Sequence, residues 1–269
     1  MRPLGSTATW SGGEVTPRAQ AVLAPNPGWM TLDGTNSWLL HEPGATEAVL
    51  VDPGPDDPGH LRALVDAAAT RDARITRIVL THGHHDHAEG ASGLSAMTGA
   101  PVLALDPSLR LGSERLSDGD VLDIGGLELR VVATPGHTRD SLSLLLPADG
   151  AILTGDTVLG RGTAVIAHPD GDLGDYLDTL GRLSGLIEEH RMDWLLPGHG
   201  PALDSAADLL AGYRTHREAR LALVRAAWDD GLRDLDELLD AAYPEVGPEL
   251  RWAARLSLQA QVDYLATGR

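Results

Sequence analysis

The chain has 269 residues, of which 42% are hydrophobic, so it suits one large domain or one domain with a smaller appendage. It contains no cysteine, which excludes disulfides, thiolate nucleophiles and every cysteine-containing zinc site. Its formal net charge is -18 and all 21 of its basic residues are arginine. Such a surface repels nucleic acid and anionic membranes at long range, although a locally positive site could still bind anions.

The N-terminal sequence MRPLGSTATWSGG has no apolar segment of the kind found in secretory signals. No apolar run approaches the length of a membrane span. We therefore expect a cytoplasmic protein with no membrane partner.

Strand and helix signals alternate through the first hundred residues. Asp57 before Pro58 predicts the start of a helix, because apolar residues recur at helical spacing from Leu61 onward. The apolar run RIVL predicts a strand that ends at the histidine-rich segment THGHHDH. The predicted elements of this part are strands at 37–41, 48–52, 77–80 and 101–104, and helices after residue 57 and from about residue 89.

Strands then follow one another directly. Gly125 and Gly126 predict a hairpin turn, and the segments SLSLLLP and AILTGD predict further strands. Beyond residue 201 only helical periodicity remains. The predicted elements are a helix at 173–187, a strand within DWLLPGHG, and helices at 204–228, 232–243 and 248–266.

Strands thus occur both consecutively and in alternation with helices. This order favours an α+β fold in which two sheets are sandwiched between helices. We expect a catalytic domain at 1–202 and an all-helical subdomain at 203–269.

Polar side chains with metal-binding capacity recur where predicted strands end. His82 and His84 alternate in one such loop and can face one point, whereas Asp86 and His87 follow on the next bend. Loops at strand ends on one edge of a sandwich can converge on a rigid frame. The other residues in this setting are His137 in ATPGHT, Asp156 in LTGD and His199 in PGHG.

Five imidazoles and two carboxylates exceed the ligand set of one tetrahedral zinc and suit two metals. Any single histidine could instead be a structural residue, but all of these motifs together favour metal binding. The first metal is assigned to His82, His84 and His137. The second is assigned to Asp86, His87 and His199, with Asp156 bridging the two metals.

The motifs HGHHDH, PGHT, TGD and PGHG resemble, in order, the ligand motifs of the metallo-β-lactamase superfamily. The resemblance covers roughly the first 200 residues and implies an αββα sandwich with the metals at one edge. It also implies a binuclear zinc-dependent hydrolase, and Fe or Mn would suit the same ligands. Asp52 in VLVDPG matches the first aspartate motif of the family, so we expect it to support a ligand histidine; a turn-forming Asp-Pro pair is the alternative.

Two divalent ions about 3.5–4 Å apart would lower the pKa of a bridging water and make hydroxide available at neutral pH. Asp86 is expected to orient that hydroxide while binding metal, which makes it the predicted catalytic residue. His85 is expected to be exposed. The histidines expected not to bind metal are His41, His60, His168, His190 and His216.

Residue types exclude several branches of the superfamily. His84 stands where the oxygen-reducing diiron branch has glutamate, and Asp156 stands where true β-lactamases usually lack an aspartate. One remaining class resembles glyoxalase II, which binds glutathione through basic residues that include lysine. This chain has no lysine. The primary prediction is therefore hydrolysis of another ester or thioester. A regulatory protein without activity would predict a broken ligand set, and this set is intact.

The second remaining class is a single-strand-specific endoribonuclease. The segment NPGWMTLDGTNSWLL, the segment PGHGP before a helix containing THREARL, and the helical tail resemble the β-lactamase-like endoribonuclease group. That group has a winged element at its end, so we describe the tail as winged-helix-like although this chain ends at ATGR.

Charge bears on the choice between the two classes. The tail at 203–269 holds 8 Arg against 12 Asp and Glu, whereas RNA binding draws on a basic stripe. The candidate stripe is Arg214, Arg217 and Arg220, with Arg225 further along; a solvated helix face with Glu218 as a partner is the alternative.

Further residues are expected near the substrate. Trp29 in a glycine-rich loop is predicted to be a mobile lid, although it could instead cover an apolar edge. Thr35 and Asn36 are expected at the rim, and Arg161 and Thr163 are expected to contact substrate anions. The candidate partners are a small-molecule ester or thioester, single-stranded RNA and a second copy of the chain.

Overall fold

The structure is a computed structural model that describes residues 5, 6 and 8–267. The N-terminal segment from which we expect no secretory signal lies partly outside these residues. Within them, two β-sheets lie face to face and helices cover both outer surfaces. The predicted α+β sandwich is therefore confirmed.

The first sheet has six strands paired in chain order. The fourth and fifth strands are parallel, because helix α1 (Pro58–Ala69) crosses between them. Asp57 caps this helix, since its carboxylate accepts a hydrogen bond of 2.7 Å from the backbone N–H of His60. The strands are β1 (Gly13–Thr16), β2 (Ala19–Leu23), β3 (Asn36–His41), β4 (Glu47–Val51), β5 (Arg74–Val79) and β6 (Val102–Leu103).

The hairpin of β1 and β2 was not predicted from the sequence. The segments GEVT and AQAVL contain few of the β-branched and aromatic residues that mark strands. Ala19 and Ala21 nevertheless face the space between the sheets and are fully buried. The hairpin forms because β2 pairs along its length with β3, which is a tertiary cause.

The second sheet has five strands, in the order β11-β10-β9-β8-β7. The predicted hairpin at Gly125 and Gly126 is confirmed, and both residues have positive φ, at 60° and 92°. The strands are β7 (Val121–Ile124), β8 (Leu127–Ala133), β9 (Leu142–Leu146), β10 (Ala151–Gly155) and β11 (Trp194–Pro197).

The main core lies between the two sheets. Trp38 and Val51 of the first sheet pack there with Leu129, Leu144 and Leu153 of the second, and all five are buried. Because both sheets are fixed by this core, the loops at their common edge are held in place. That edge is where the histidine-rich segment lies.

Helices complete the outer layers. The helix expected from about residue 89 begins at Ala91, after a four-residue turn of helix. No strand follows β11 within the described residues, and no helix among them is long and apolar enough to cross a membrane. The division at residue 202 stays a prediction. The remaining helices are α2 (His85–Ala88), α3 (Ala91–Thr98), α4 (Leu173–His190), α5 (Ala206–Asp229), α6 (Leu235–Ala242) and α7 (Arg251–Ala266).

Candidate metal centre

The histidine-rich loop follows β5, and three other loops reach the same place after β8, β10 and β11. The structure brings all seven predicted ligands together there in three overlapping groups, and the potential ligand atoms within each group lie within 4.8 Å of one another. The groups are His82 with His84 and His137, Asp86 with His87 and His199, and His82 with His87 and Asp156.

Asp156 lies between the first two groups. Its Oδ2 atom is 3.4 Å from His199 Nε2 and 3.8 Å from His137 Nε2. Its Oδ1 atom is buried without a hydrogen-bond partner and lies 3.4 Å from His87 Nε2. A carboxylate between two sets of imidazoles has the placement that a bridging ligand needs.

His82 shows most directly that the cluster suits a cation. Thr81 Oγ1 donates to Asp52 Oδ2 at 2.6 Å, so this hydroxyl is left to accept the proton of His82 Nδ1, 3.0 Å away. This network makes His82 Nε2 the unprotonated nitrogen. His82 Nε2 is buried with no hydrogen-bond partner. A buried lone pair without a donor is unfavourable, and a divalent cation would satisfy it.

Other imidazoles are oriented in the same way, by an acceptor on the far side of the ring. His87 Nδ1 lies 2.8 Å from Asp52 Oδ2, and His137 Nδ1 lies 2.6 Å from the carbonyl oxygen of Val165. Each contact holds the proton on Nδ1 and leaves Nε2 facing the cluster, where it can bind metal.

The aspartates of the cluster favour positive charge on His199, whereas burial keeps other imidazoles of the cluster neutral. Burial opposes ionisation of Asp156, but His199 and His87 hold the pKa of its carboxyl well below its usual range. Burial also opposes charge on His199, yet Asp156 and Asp86 raise the pKa of its imidazole to about 9. Burial lowers the pKa of His137 to about 4 and that of His82 well below its usual value. His82 and His137 are therefore neutral, which is the form that binds metals.

Gly198 leaves room for the cluster. A Cβ atom at this position would lie 2.5 Å from Asp156 Oδ1 and 2.7 Å from His87 Cε1. Gly198→Ala is therefore expected to weaken metal affinity by about tenfold or more, the size of effect seen when ligand positioning is disturbed. Metal titration of the variant would measure this, with Gly181→Ala as control because a Cβ there meets nothing within 4 Å. Equal affinities in the two variants would contradict the expectation.

The rim positions predicted for Thr35 and Asn36 are wrong. Both residues are fully buried. The Asn36 amide nitrogen donates to the carbonyl oxygens of Pro197, at 3.0 Å, and Gly200, at 2.8 Å. Asn36 therefore fixes the loop that carries His199 and cannot contact substrate.

Three other predicted substrate residues do line a common cavity beside the metal ligands. Trp29, Arg161 and Thr163 line a cavity of about 370 Å³ whose wall also includes His137 and Asp156. Trp29 is 69% exposed. The charge of Arg161 is already engaged, because its guanidinium lies 2.6 Å from the Asp33 carboxylate.

The predicted arginine stripe is interrupted at the surface, because its two middle members are buried. Arg217 and Arg220 are buried, at 6% and 5% exposure, and both line the cavity. Arg214 is exposed and pairs at 2.8 Å with Glu218 one turn along the helix. Periodicity on one helix could not reveal this, since the burial comes from α6 and from the loop after β10.

The histidines expected not to bind metal lie outside the three groups. His85 is exposed. His60 lies 2.9 Å from Ser37 Oγ, His41 lies 2.7 Å from the carbonyl oxygen of Ala45, and His168 lies 2.8 Å from Asp263. Each of these three contacts gives the imidazole a structural partner.

Comparison with known proteins identifies the family. Residues 30–199 match the family described as Metallo-beta-lactamase superfamily. The chain belongs to this superfamily. A metallo-β-lactamase family protein from Thermus thermophilus has the same fold, with a TM-score of 0.75, 23% identity and coverage of 94% of both chains.

Two relatives are similar in sequence to most of this chain. The lactamase-like protein aptB from Emericella nidulans is 32% identical over 267 residues, which cover 95% of this chain and 83% of that protein. An atrochrysone carboxyl ACP thioesterase from Aspergillus chevalieri is 32% identical over 209 residues, which cover 77% of this chain and 64% of that protein. The chain is thus a hydrolase of the metallo-β-lactamase superfamily.

Proposed function

We propose that this protein is a binuclear metal-dependent hydrolase of acyl thioesters or esters. The observation that carries the proposal is the cluster of seven potential ligands, two of which, His137 and Asp156, line a cavity large enough for a small acyl group. The similarity to a relative named as a thioesterase supports the thioester. We propose zinc as the metal, and iron or manganese would fit the same imidazole and carboxylate ligands.

His82, His84 and His137 would hold the first metal, and Asp86, His87 and His199 the second, with Asp156 shared between them. Two bound ions would lower the pKa of a water molecule and would polarise the acyl carbonyl. The chain's own contribution is to hold the ligand nitrogens in fixed orientation, through Asp52, Thr81 and the carbonyl oxygen of Val165.

Asp86 is the carboxylate that an incoming water meets first. Its side chain is 30% exposed, against 12% for Asp156. Burial opposes its ionisation, but the hydrogen bond with His199 keeps the pKa of its carboxyl below the usual value. Asp86 is therefore ionised at neutral pH, and Oδ2 can accept a proton from the attacking water. The water oxygen bonds to the acyl carbon, the C–S or C–O bond breaks, and that proton passes to the departing thiolate or alkoxide.

The cavity walls bind the acyl group and exclude water. One side is formed by the loop that carries Trp29, and another by the helices after β11. An apolar wall next to polar reacting groups is typical of sites for small organic ligands. The apolar lining residues include Leu32, Leu159, Val246, Leu250 and Ala253.

Thiol release from the hexanoyl thioester of N-acetylcysteamine tests the proposal. We expect turnover in protein loaded with two equivalents of zinc, loss of turnover after chelation, and recovery when zinc, iron or manganese is returned. End-labelled single-stranded RNA is the second substrate, and it should stay intact because Arg217 and Arg220 of the predicted arginine stripe are buried. Cleavage of RNA by metal-loaded protein that leaves the thioester intact would replace this proposal with a phosphodiesterase.

A further inference from the structure

Two buried arginines form one wall of the cavity beside the metal ligands. Arg217 and Arg220 lie one turn apart on α5, are at least nine-tenths buried and line the cavity together with His137 and Asp156. The metal-binding edge does not need them, since neither contacts a predicted ligand side chain. The placement of two guanidinium groups in this wall calls for a separate reason.

The charges of the two arginines are compensated unequally. Arg220 pairs with Glu245, donates to the carbonyl oxygen of Ala242 and lies 4.3 Å above the Tyr243 ring. Arg217 donates to the carbonyl oxygen of Ala164 and lies 5.0 Å above the Tyr176 ring.

Among the described residues, no carboxylate oxygen lies within 4.0 Å of Arg217. Glu245 therefore balances the charge of Arg220, whereas the charge of Arg217 is not balanced by an ion pair among the described residues.

Polar nitrogen atoms in the wall also lack hydrogen-bond partners. The Nε atoms of Arg217 and Arg220 are buried without a partner, and so is Nδ1 of the neighbouring His216. Burial, together with the charges of Arg217 and Arg220, lowers the pKa of His216 to about 4. The same positive field would attract an anion into the cavity. Buried charges and donors left in this condition are unfavourable unless a ligand completes them.

We propose that the arginine wall binds a carboxylate of the substrate, so that the preferred thioesters or esters carry an acidic group some distance from the scissile carbonyl. This inference rests on the proposed function, because it extends the same cavity. The scissile carbonyl would lie at the His137 and Asp156 end and the carboxylate at Arg217. A carboxylate fits the planar guanidinium and would balance the uncompensated charge.

Matched substrates test this preference directly. The glutaryl thioester of N-acetylcysteamine carries a carboxylate on its acyl side, whereas the hexanoyl thioester of 3-mercaptopropionate carries one on its thiol side. Each is compared with the neutral hexanoyl thioester of N-acetylcysteamine. We expect kcat/KM at least about tenfold higher for one of the two anionic substrates, which also shows on which side the carboxylate lies. No preference in the wild-type protein for either anionic substrate would overturn the proposal.

Variants assign any preference to the wall. In Arg217→Gln the ratio of anionic to neutral kcat/KM should fall about tenfold or more, chiefly through KM. Arg214→Gln on the same helix is the matched control, because Arg214 is exposed and pairs with Glu218. Its ratio should equal that of the wild type. Equal ratios in the two variants would overturn the proposal, and the wild-type comparison stands even if Arg217→Gln fails to fold.

Calorimetric binding of glutarate to the zinc-loaded proteins separates this inference from the proposed function. We expect Kd to rise about tenfold in Arg217→Gln and to stay unchanged in Arg214→Gln. Arg217-dependent binding of glutarate without turnover of any thioester would keep the carboxylate site and reject the hydrolase proposal. The opposite outcome is turnover of thioesters together with a Kd for glutarate that is the same in Arg217→Gln as in the wild type. It would keep the hydrolase proposal and reject the carboxylate site.

Discussion

An Asp156→Asn protein is expected to stay folded, and its kcat/KM for a thioester should fall by more than about 100-fold. Mutation of a residue that only orients a metal ligand already costs about 10- to 100-fold in metal affinity or activity, and Asp156 is itself a predicted ligand. Asparagine keeps the volume of the side chain and removes its charge. Asp156 is the carboxylate that lies within 4.0 Å of His87, His137 and His199, so its charge serves both predicted metal positions. Elemental analysis should find one metal per chain or fewer where the wild type holds two.

Asp140→Asn is the control for this substitution. Asp140 is another partly buried aspartate near the histidine-rich loop, but it lines a separate depression with Gly83 and His84 and belongs to none of the three ligand groups. Burial raises the pKa of its carboxyl. Metal content and kcat/KM should be those of the wild type. An Asp156→Asn protein that kept two metals and full turnover would remove Asp156 from the predicted centre.

The ligand cluster could be predicted because each of its residues follows a strand end and lies within a short local motif. The segment THGHHDH directly follows β5, and the motifs containing His137, Asp156 and His199 directly follow β8, β10 and β11. Parallel and antiparallel strands that end at one edge bring such loops together whatever the rest of the chain does. The same reasoning anticipated the sandwich, since strand order and helix spacing are local signals.

The residues that local patterns could not place are those whose surroundings come from distant segments. Asn36 has the sequence context of a polar loop residue, yet its amide satisfies the carbonyl oxygens of Pro197 and Gly200, more than 160 positions away. Arg217 has the spacing of a solvated helix face, yet it is covered by the loop that contains Ala164. In both cases the polar group is buried because a partner exists only in the folded chain.

Asp52→Asn is expected to lower the free energy of unfolding by about 3 kcal/mol, as when one partner of a buried charged pair is removed. Two oxygens of Asp52 accept from three donors, namely Thr81 N–H at 2.7 Å, Thr81 Oγ1–H at 2.6 Å and His87 Nδ1–H at 2.8 Å. An amide offers one oxygen and turns two protons of its own toward these donors. Asparagine is the suitable replacement because Asp52 has a φ of 55°, which asparagine tolerates and alanine does not.

The same substitution should weaken metal binding by about 10- to 100-fold, since Asp52 orients His87 directly and His82 through Thr81. Asp57→Ala is the control, because it removes the cap of α1 and should cost about 1 kcal/mol of stability while leaving the predicted ligand histidines untouched. Denaturant unfolding and zinc titration of both variants distinguish the two effects. If Asp52→Asn lost stability but bound zinc like the wild type, Asp52 would be a turn-forming residue with no part in positioning ligands. A loss of affinity in Asp52→Asn alone would show that the aspartate after β4 holds the metal-binding edge in its working geometry.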